Sequence, residues 1–290
     1  MSDQATIAVL GTGIMGAPMA GRLLDAGFTV RVWNRTASKA APLVERGAIA
    51  ADSPADAVRG ADFVLTMLAD GPTVHAVMSD VLPAVAPDAI WLQAATVGLA
   101  HIEALAKLAD DAGVTFLDSP VLGTKQPAET GQLVVMAAGP DDAIERSVPV
   151  FEAIGRKIIR LSGTGAASKL KLVVNGWVLG LTNAGAEAIG LSRALGVDPE
   201  LFLETISGGA ADSPYVRIKG RAMIDDDYPL SFPLDLAVKD ARLIVEAAGD
   251  DVDAGAAVAA LRHLERASEL GYGETDMAAI YRGVIKGDPS

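Results

Sequence analysis

Residues 6–16 read TIAVLGTGIMG, an apolar run over Ile7-Ala-Val-Leu10 that passes directly into Gly11-Thr12-Gly13-Ile14-Met15-Gly16 and then into a helical pattern. A strand, three glycines at this spacing and a helix have one shared physical use. The first glycine permits a tight turn, the second lets the backbone approach a pyrophosphate, and the third lets helix and strand pack closely. The helix start then offers backbone amides and the positive end of its dipole to phosphate. Inside a strand–helix–strand unit, this stretch predicts a dinucleotide-binding loop built from Gly11, Thr12, Gly13, Ile14, Met15 and Gly16.

The pattern on either side agrees. Further apolar runs lie at Phe28–Trp33, Phe63–Leu68, Ile90–Leu92, Val114–Leu117, Leu133–Met136 and Ile158–Ile159. Several are continuous rather than alternating, as in strands buried on both faces of a parallel sheet. Helical stretches such as Met15–Ala26, Ser38–Arg46 and Leu99–Ala112 separate them. Residues 1–163 are therefore read as a Rossmann-type α/β domain with a parallel sheet. From Ser168 to Leu195 runs one helical stretch, roughly 42 Å long at 1.5 Å per residue. It is apolar on most faces, so burial along its whole length is expected. Helical patterns follow at Pro199–Ser207, Leu234–Ala248, Ala254–Leu270 and Asp276–Lys286. Residues 164–290 are read as an all-α domain built around the long helix.

Composition narrows the chemistry. The chain has 290 residues, no Cys, three His and a formal net charge of −13. Without Cys there is no disulfide framework, thiolate nucleophile or Cys-ligated metal, and no metal is expected. The acidity disfavours nucleic acid and anionic membrane as partners. The start carries no basic n-region, and the longest uncharged helical stretch, Leu172–Ala186, is shorter than the roughly 20 residues a bilayer crossing needs. A cytoplasmic location is the default expectation. His75, His101 and His263 read as surface residues, and Asp225-Asp-Asp227 as an acidic loop.

Cofactor choice is read at the end of the second strand, Trp33-Asn34-Arg35-Thr36. An Asp or Glu there would hydrogen-bond a ribose 2′-hydroxyl. Asn34 has no charge to repel a 2′-phosphate, and the Arg35 guanidinium matches one, with Lys39 a turn further on. NADP(H) is expected in preference to NAD(H).

A proton donor for hydride chemistry must come from Lys, Asp, Glu or Tyr. Lys171 and Asn175 are spaced i,i+4 and share a face of the long helix. Two readings stay open on pattern alone. The pair is catalytic, or Lys171 reaches to solvent while Asn175 is bonded to other structure. Trp177 lines the site or fills an interface.

Several ordered segments carry a family resemblance: Val9–Ala20, Ala95-Thr96, Asp118–Gly123, Pro127–Leu133, Gly163-Thr-Gly165, Lys171–Asn175 and Lys239-Asp240. Together they resemble the β-hydroxyacid dehydrogenases, which include 3-hydroxyisobutyrate dehydrogenases and glyoxylate/succinic semialdehyde reductases. The resemblance implies that Lys171 is the acid/base and that Asn175 helps to hold substrate. It implies that Gly123 and Thr124 cradle a substrate carboxylate. It also places Met67, Leu68, Thr96, Phe232 and Lys239 at the cofactor, with Asp240 the acidic neighbour of Lys239. Leu122 stands where the family usually has Ser, which suggests a larger or less polar substituent on the substrate. A homodimer or homotetramer is expected. Imine reductases share this architecture, but Lys171 argues against them. A non-catalytic dinucleotide-binding module is the other alternative.

Overall fold

A computed structural model describes residues 5–286. The chain divides by its internal contacts into two compact units, the first ending at Lys171 and the second beginning at Leu172. The sequence reading placed this division at 163. The difference arises because the start of the long helix is bonded to the first unit, as described below.

The first unit holds a nine-stranded sheet: β1 (Thr6–Leu10), β2 (Thr29–Trp33), β3 (Ile49–Ala50), β4 (Phe63–Thr66), β5 (Ile90–Gln93), β6 (Thr115–Asp118), β7 (Val121–Leu122), β8 (Leu133–Ala138) and β9 (Gly155–Leu161). Their order is β3-β2-β1-β4-β5-β6-β8-β7, with β9 also paired to β8. All pairs from β3 to β6 are parallel. Helices Gly16–Asp25, Gly71–Val81, Leu99–Asp111 and Asp141–Ile154 are the longer crossovers. Continuous apolar strands follow from cover on both faces. Ile7 and Val9 pack in one cluster with Met19, Leu23 and Phe151, whereas Ala8 and Leu10 pack in another with Trp91, Ile102 and Leu105.

The sheet departs from an all-parallel one at β8, which runs antiparallel to β6 and β7. The segment from Gly123 to Gln132 that joins β7 to β8 is too short for a crossover of a dozen or more residues, so the chain turns back on itself. Two-residue strands such as β3 and β7 carry too little pattern to be read from sequence.

The second unit is helical. The long helix spans Ala166–Ala194 and runs on from the first unit, followed by helices Pro199–Ile206, Pro214–Asp225, Leu234–Ala248, Gly255–Ala267 and Ile280–Val284. Sequence reading missed Pro214–Asp225, although Ser213 accepts from the Val216 N–H ahead of a Pro at the first helical position. The core gathers Leu179, Ala186, Ile189, Met223, Leu264 and Tyr281. The long helix is not buried along its whole length. Val173, Trp177, Leu191 and Leu195 are exposed and leave an uncovered apolar stripe. Among the described residues, no helix is long and apolar enough to cross a membrane.

Candidate active site

Parallel pairing puts the C-terminal ends of β1, β2, β4 and β5 along one edge of the sheet, where ligands bind in open α/β folds. The residues predicted for the cofactor follow these ends. Gly11 has φ +104, and a Cβ there would lie 2.3 Å from the Met67 carbonyl oxygen; a Cβ at Gly16 would lie 1.9 Å from that of Gly11. Both glycines are required by the fold itself. Gly13 differs, because a Cβ there would meet nothing within 4 Å. What this position leaves room for lies outside the protein.

Asn34 closes the loop from β2. Its Oδ1 accepts from the Thr12 N–H at 3.0 Å and its Nδ2 donates to the Thr36 carbonyl at 3.0 Å. Asn34 is thus a brace for the glycine loop, a role beyond the missing charge noted in sequence. Arg35, Thr36 and Lys39 are exposed beside it. The Thr12 hydroxyl is buried and has no partner among the described residues. Helix Gly16–Asp25 begins without a side-chain cap and has no acid in its first turn. An orphaned donor, an open glycine and an uncapped helix start together fit a phosphate group.

Thr96 is placed through a buried polar chain that sequence reading missed. Trp91 Nε1 donates to Thr66 Oγ1 at 2.9 Å, and that hydroxyl donates to Gln93 Oε1 at 3.2 Å. Gln93 then clamps Ala95, accepting from its N–H at 3.1 Å and donating to its carbonyl at 2.7 Å. The signal available in sequence was a Gln ending an apolar strand.

Lys171 is 8% exposed. Its Nζ donates to the Val121 carbonyl at 2.8 Å, which sets it beside β7 and the Gly123–Thr124 segment. Gly123 has φ +137, and a Cβ there would meet Leu133 and Pro127, so only glycine suits this turn. Leu122 packs against the buried cluster of Met136, Ala138 and Ala167, as do Ile159, Leu161, Ala166 and Leu170. Its bulk therefore fills an apolar cluster of the first unit. Ser119, next to Asp118, has a buried hydroxyl with no partner among the described residues.

In the second unit, Asn175 Nδ2 donates to Asp240 Oδ2 at 2.7 Å, and Lys239 Nζ lies 3.0 Å from Asp240 Oδ1. The family resemblance named Asp240 only as the acidic neighbour of Lys239 and did not link it to Asn175. Phe232 N–H donates to Asp276 Oδ2 at 3.0 Å, within a buried network that also joins Lys219 Nζ to Asp276 Oδ1 at 2.7 Å. Burial would raise the Asp276 carboxyl, but Lys219 and the donors of Ala278 and Ser231 outweigh it and hold it below the usual range. Trp177 lies on the long helix two residues after Asn175. It is 68% exposed, about 140° around the helix from the face of Lys171 and Asn175. His263 bonds Asn183 at 2.7 Å, and no cluster of three or more His, Asp or Glu residues is placed to hold a metal among the described residues.

Two family profiles cover this arrangement. The NAD binding domain of 6-phosphogluconate dehydrogenase matches residues 6–163, and the NAD-binding domain of NADP-dependent 3-hydroxyisobutyrate dehydrogenase matches residues 165–284. The chain belongs to the β-hydroxyacid dehydrogenase family. It is 35% identical to glyoxylate/succinic semialdehyde reductase 1 of Arabidopsis thaliana, over 96% of this chain and 98% of that protein. To the 3-sulfolactaldehyde reductase of Escherichia coli it is 30% identical, over 97% of this chain and 96% of the relative. The structure is similar to that of Mycobacterium tuberculosis 3-hydroxyisobutyrate dehydrogenase, solved with L-serine, with a TM-score of 0.87, 27% identity, and cover of 98% and 100% of the two chains. As a β-hydroxyacid dehydrogenase, the protein is an NAD(P)-dependent oxidoreductase.

Proposed function

We propose that this dehydrogenase interconverts a short β- or γ-hydroxy acid and its semialdehyde or oxo acid, with NADP(H) preferred over NAD(H) and Lys171 as acid/base. The observation that carries the reading is the buried Lys171 ammonium fixed 2.8 Å from the Val121 carbonyl, two residues before Gly123. When bound, the dinucleotide supplies or accepts the hydride. In reduction, protonated Lys171 Nζ stabilises the developing oxyanion and gives up its proton; in oxidation, neutral Nζ takes one. The Gly123–Thr124 backbone holds the substrate carboxylate, and Asp240 fixes the amide of Asn175 for its contact with substrate. Arg35 and Lys39 receive the 2′-phosphate, and the glycine loop with Thr12 receives the pyrophosphate.

A spectrophotometric screen tests this directly. NADPH and NADH are each supplied with succinic semialdehyde and glyoxylate, and NADP⁺ and NAD⁺ with 3-hydroxyisobutyrate, 4-hydroxybutyrate and bulkier β-hydroxy acids. Turnover on at least one of them, with a larger kcat/KM for the phosphorylated dinucleotide, is the expected result. Turnover on cyclic imines alone, or a kcat/KM larger with NAD(H), overturns the assignment.

The uncovered stripe on the long helix supports self-association as a homodimer or homotetramer, since contiguous exposed apolar surface marks an interaction site. Analytical ultracentrifugation of the wild type and of Trp177→Asp checks it. The wild type is expected to sediment as an oligomer and the variant as smaller species.

A further inference from the structure

A helix cannot satisfy the first amides of its own backbone. At the start of the long helix, Ala166 N–H donates to the Gly163 carbonyl at 3.2 Å and Lys169 N–H to that of Gly165 at 2.9 Å. The two amides between them are satisfied from a strand end fifty residues away in sequence. Ser168 N–H donates to Asp118 Oδ2 at 2.7 Å and the Ser168 hydroxyl to Asp118 Oδ1 at 2.8 Å, while Ala167 N–H donates to the same carboxylate. Asp118 is 0% exposed. Three residues on, the Val121 carbonyl accepts from Lys171 Nζ. Residues 118–121 therefore grip residues 167–171 at both ends, and all of them belong to the first unit.

We propose that Asp118 is a positioning residue for the reaction, fixing the first turn of the long helix and thereby the place of the Lys171 ammonium. The proposal rests on the reading of Lys171 as acid/base. A local Ser or Asn cap would satisfy the same amides. A carboxylate carried by β6 does more, because it ties the helix start to the segment whose carbonyl holds the lysine. Hydrogen bonds to a charged acceptor are also stronger than neutral ones. The arrangement is held against a cost. Burial pushes the Asp118 carboxyl up to about 6, despite the opposing donors of Ser168 and Ala167. A misplacement of about 1 Å at a catalytic group lowers a rate by on the order of 100-fold.

The test is a double-mutant cycle of Asp118→Asn and Lys171→Ala, with amide hydrogen exchange of peptides spanning residues 166–172 as a second readout. Asp118→Asn is expected to lower kcat by about 100-fold, to leave the KM for NADPH within about twofold, and to cost nothing further in the Lys171→Ala background. Exchange at Ala167 and Ser168 should rise with Asp118→Asn and not with Lys171→Ala. Additive losses, unchanged exchange, or a KM increase matching the loss of kcat overturns the proposal. Should Asp118→Asn fail to fold, Ser168→Ala removes one donor alone; a several-fold loss of kcat confined to the Lys171 background is expected, and wild-type kcat refutes it. If Lys171→Ala itself keeps wild-type turnover, the acid/base reading fails. If Lys171→Ala is inactive while Asp118→Asn is fully active, only the positioning role fails.

Discussion

Helix Gly16–Asp25 begins without a side-chain cap, without an acid in its first turn and beside the buried hydroxyl of Thr12, which has no partner among the described residues. The long helix of the same chain begins on a buried carboxylate that takes the amides of Ala167 and Ser168 and the Ser168 hydroxyl. The two starts pose one electrostatic problem, unsatisfied donors at the positive end of a dipole. On the proposed function the first is left for an anion from outside, whereas the second is filled by an anion of the protein. In that proposal the open start binds the dinucleotide, and the proposed task of the closed start is to hold Lys171 in place.

The largest effect that separates the two starts is expected from Lys171→Ala. It should lower kcat by about 1,000-fold, within the range of general acid–base catalysis, while the NADPH dissociation constant from fluorescence titration stays within about twofold. A comparable loss of NADPH affinity would merge the two regions into one.

Acid titration distinguishes them next. Asp118 is raised from 3.8 to about 6 in the folded chain. Its contribution to stability is thus fully present below about pH 4 and is lost as pH rises through 6, by about 3 kcal/mol. Urea unfolding of the wild type and Asp118→Asn should therefore show the variant gaining on the wild type between pH 4 and 7.5. A pH-independent difference would show that Asp118 is not a desolvated carboxylate.

Arg35→Ser sharpens the open end. Losing hydrogen bonds to a charged group costs about 1.5–3 kcal/mol, so NADPH should bind on the order of 10–100-fold more weakly and NADH should bind as before. Equal losses for both dinucleotides would remove Arg35 from the 2′-phosphate. The smallest effect is expected from Thr12→Val, about 1 kcal/mol in dinucleotide affinity with Tm unchanged, because the hydroxyl has no partner to lose among the described residues.

Much of this was legible in the sequence. The glycine loop, the parallel strands β1, β2, β4, β5 and β6, the long helix and the Lys171–Asn175 spacing are local patterns, and local patterns survive folding. Three things were not legible. The turn back at β8 depends on a short connection from the two-residue strand β7. The uncovered stripe of Val173, Trp177, Leu191 and Leu195 required knowing which faces neighbouring helices cover. Asp118, Gln93 and Asp240 are bonded to partners distant in sequence, Ser168, Thr66 and Asn175. The motif around Asp118 was recognised, and its task was not.

Amide hydrogen exchange with and without NADPH bears most directly on the contrast between the two helix starts. NADPH should strongly protect the peptide covering residues 11–19, while Ala167 and Ser168 are already protected in its absence. Free exchange at Ala167 and Ser168 without the dinucleotide, or no gain of protection over residues 11–19 with it, would contradict the account.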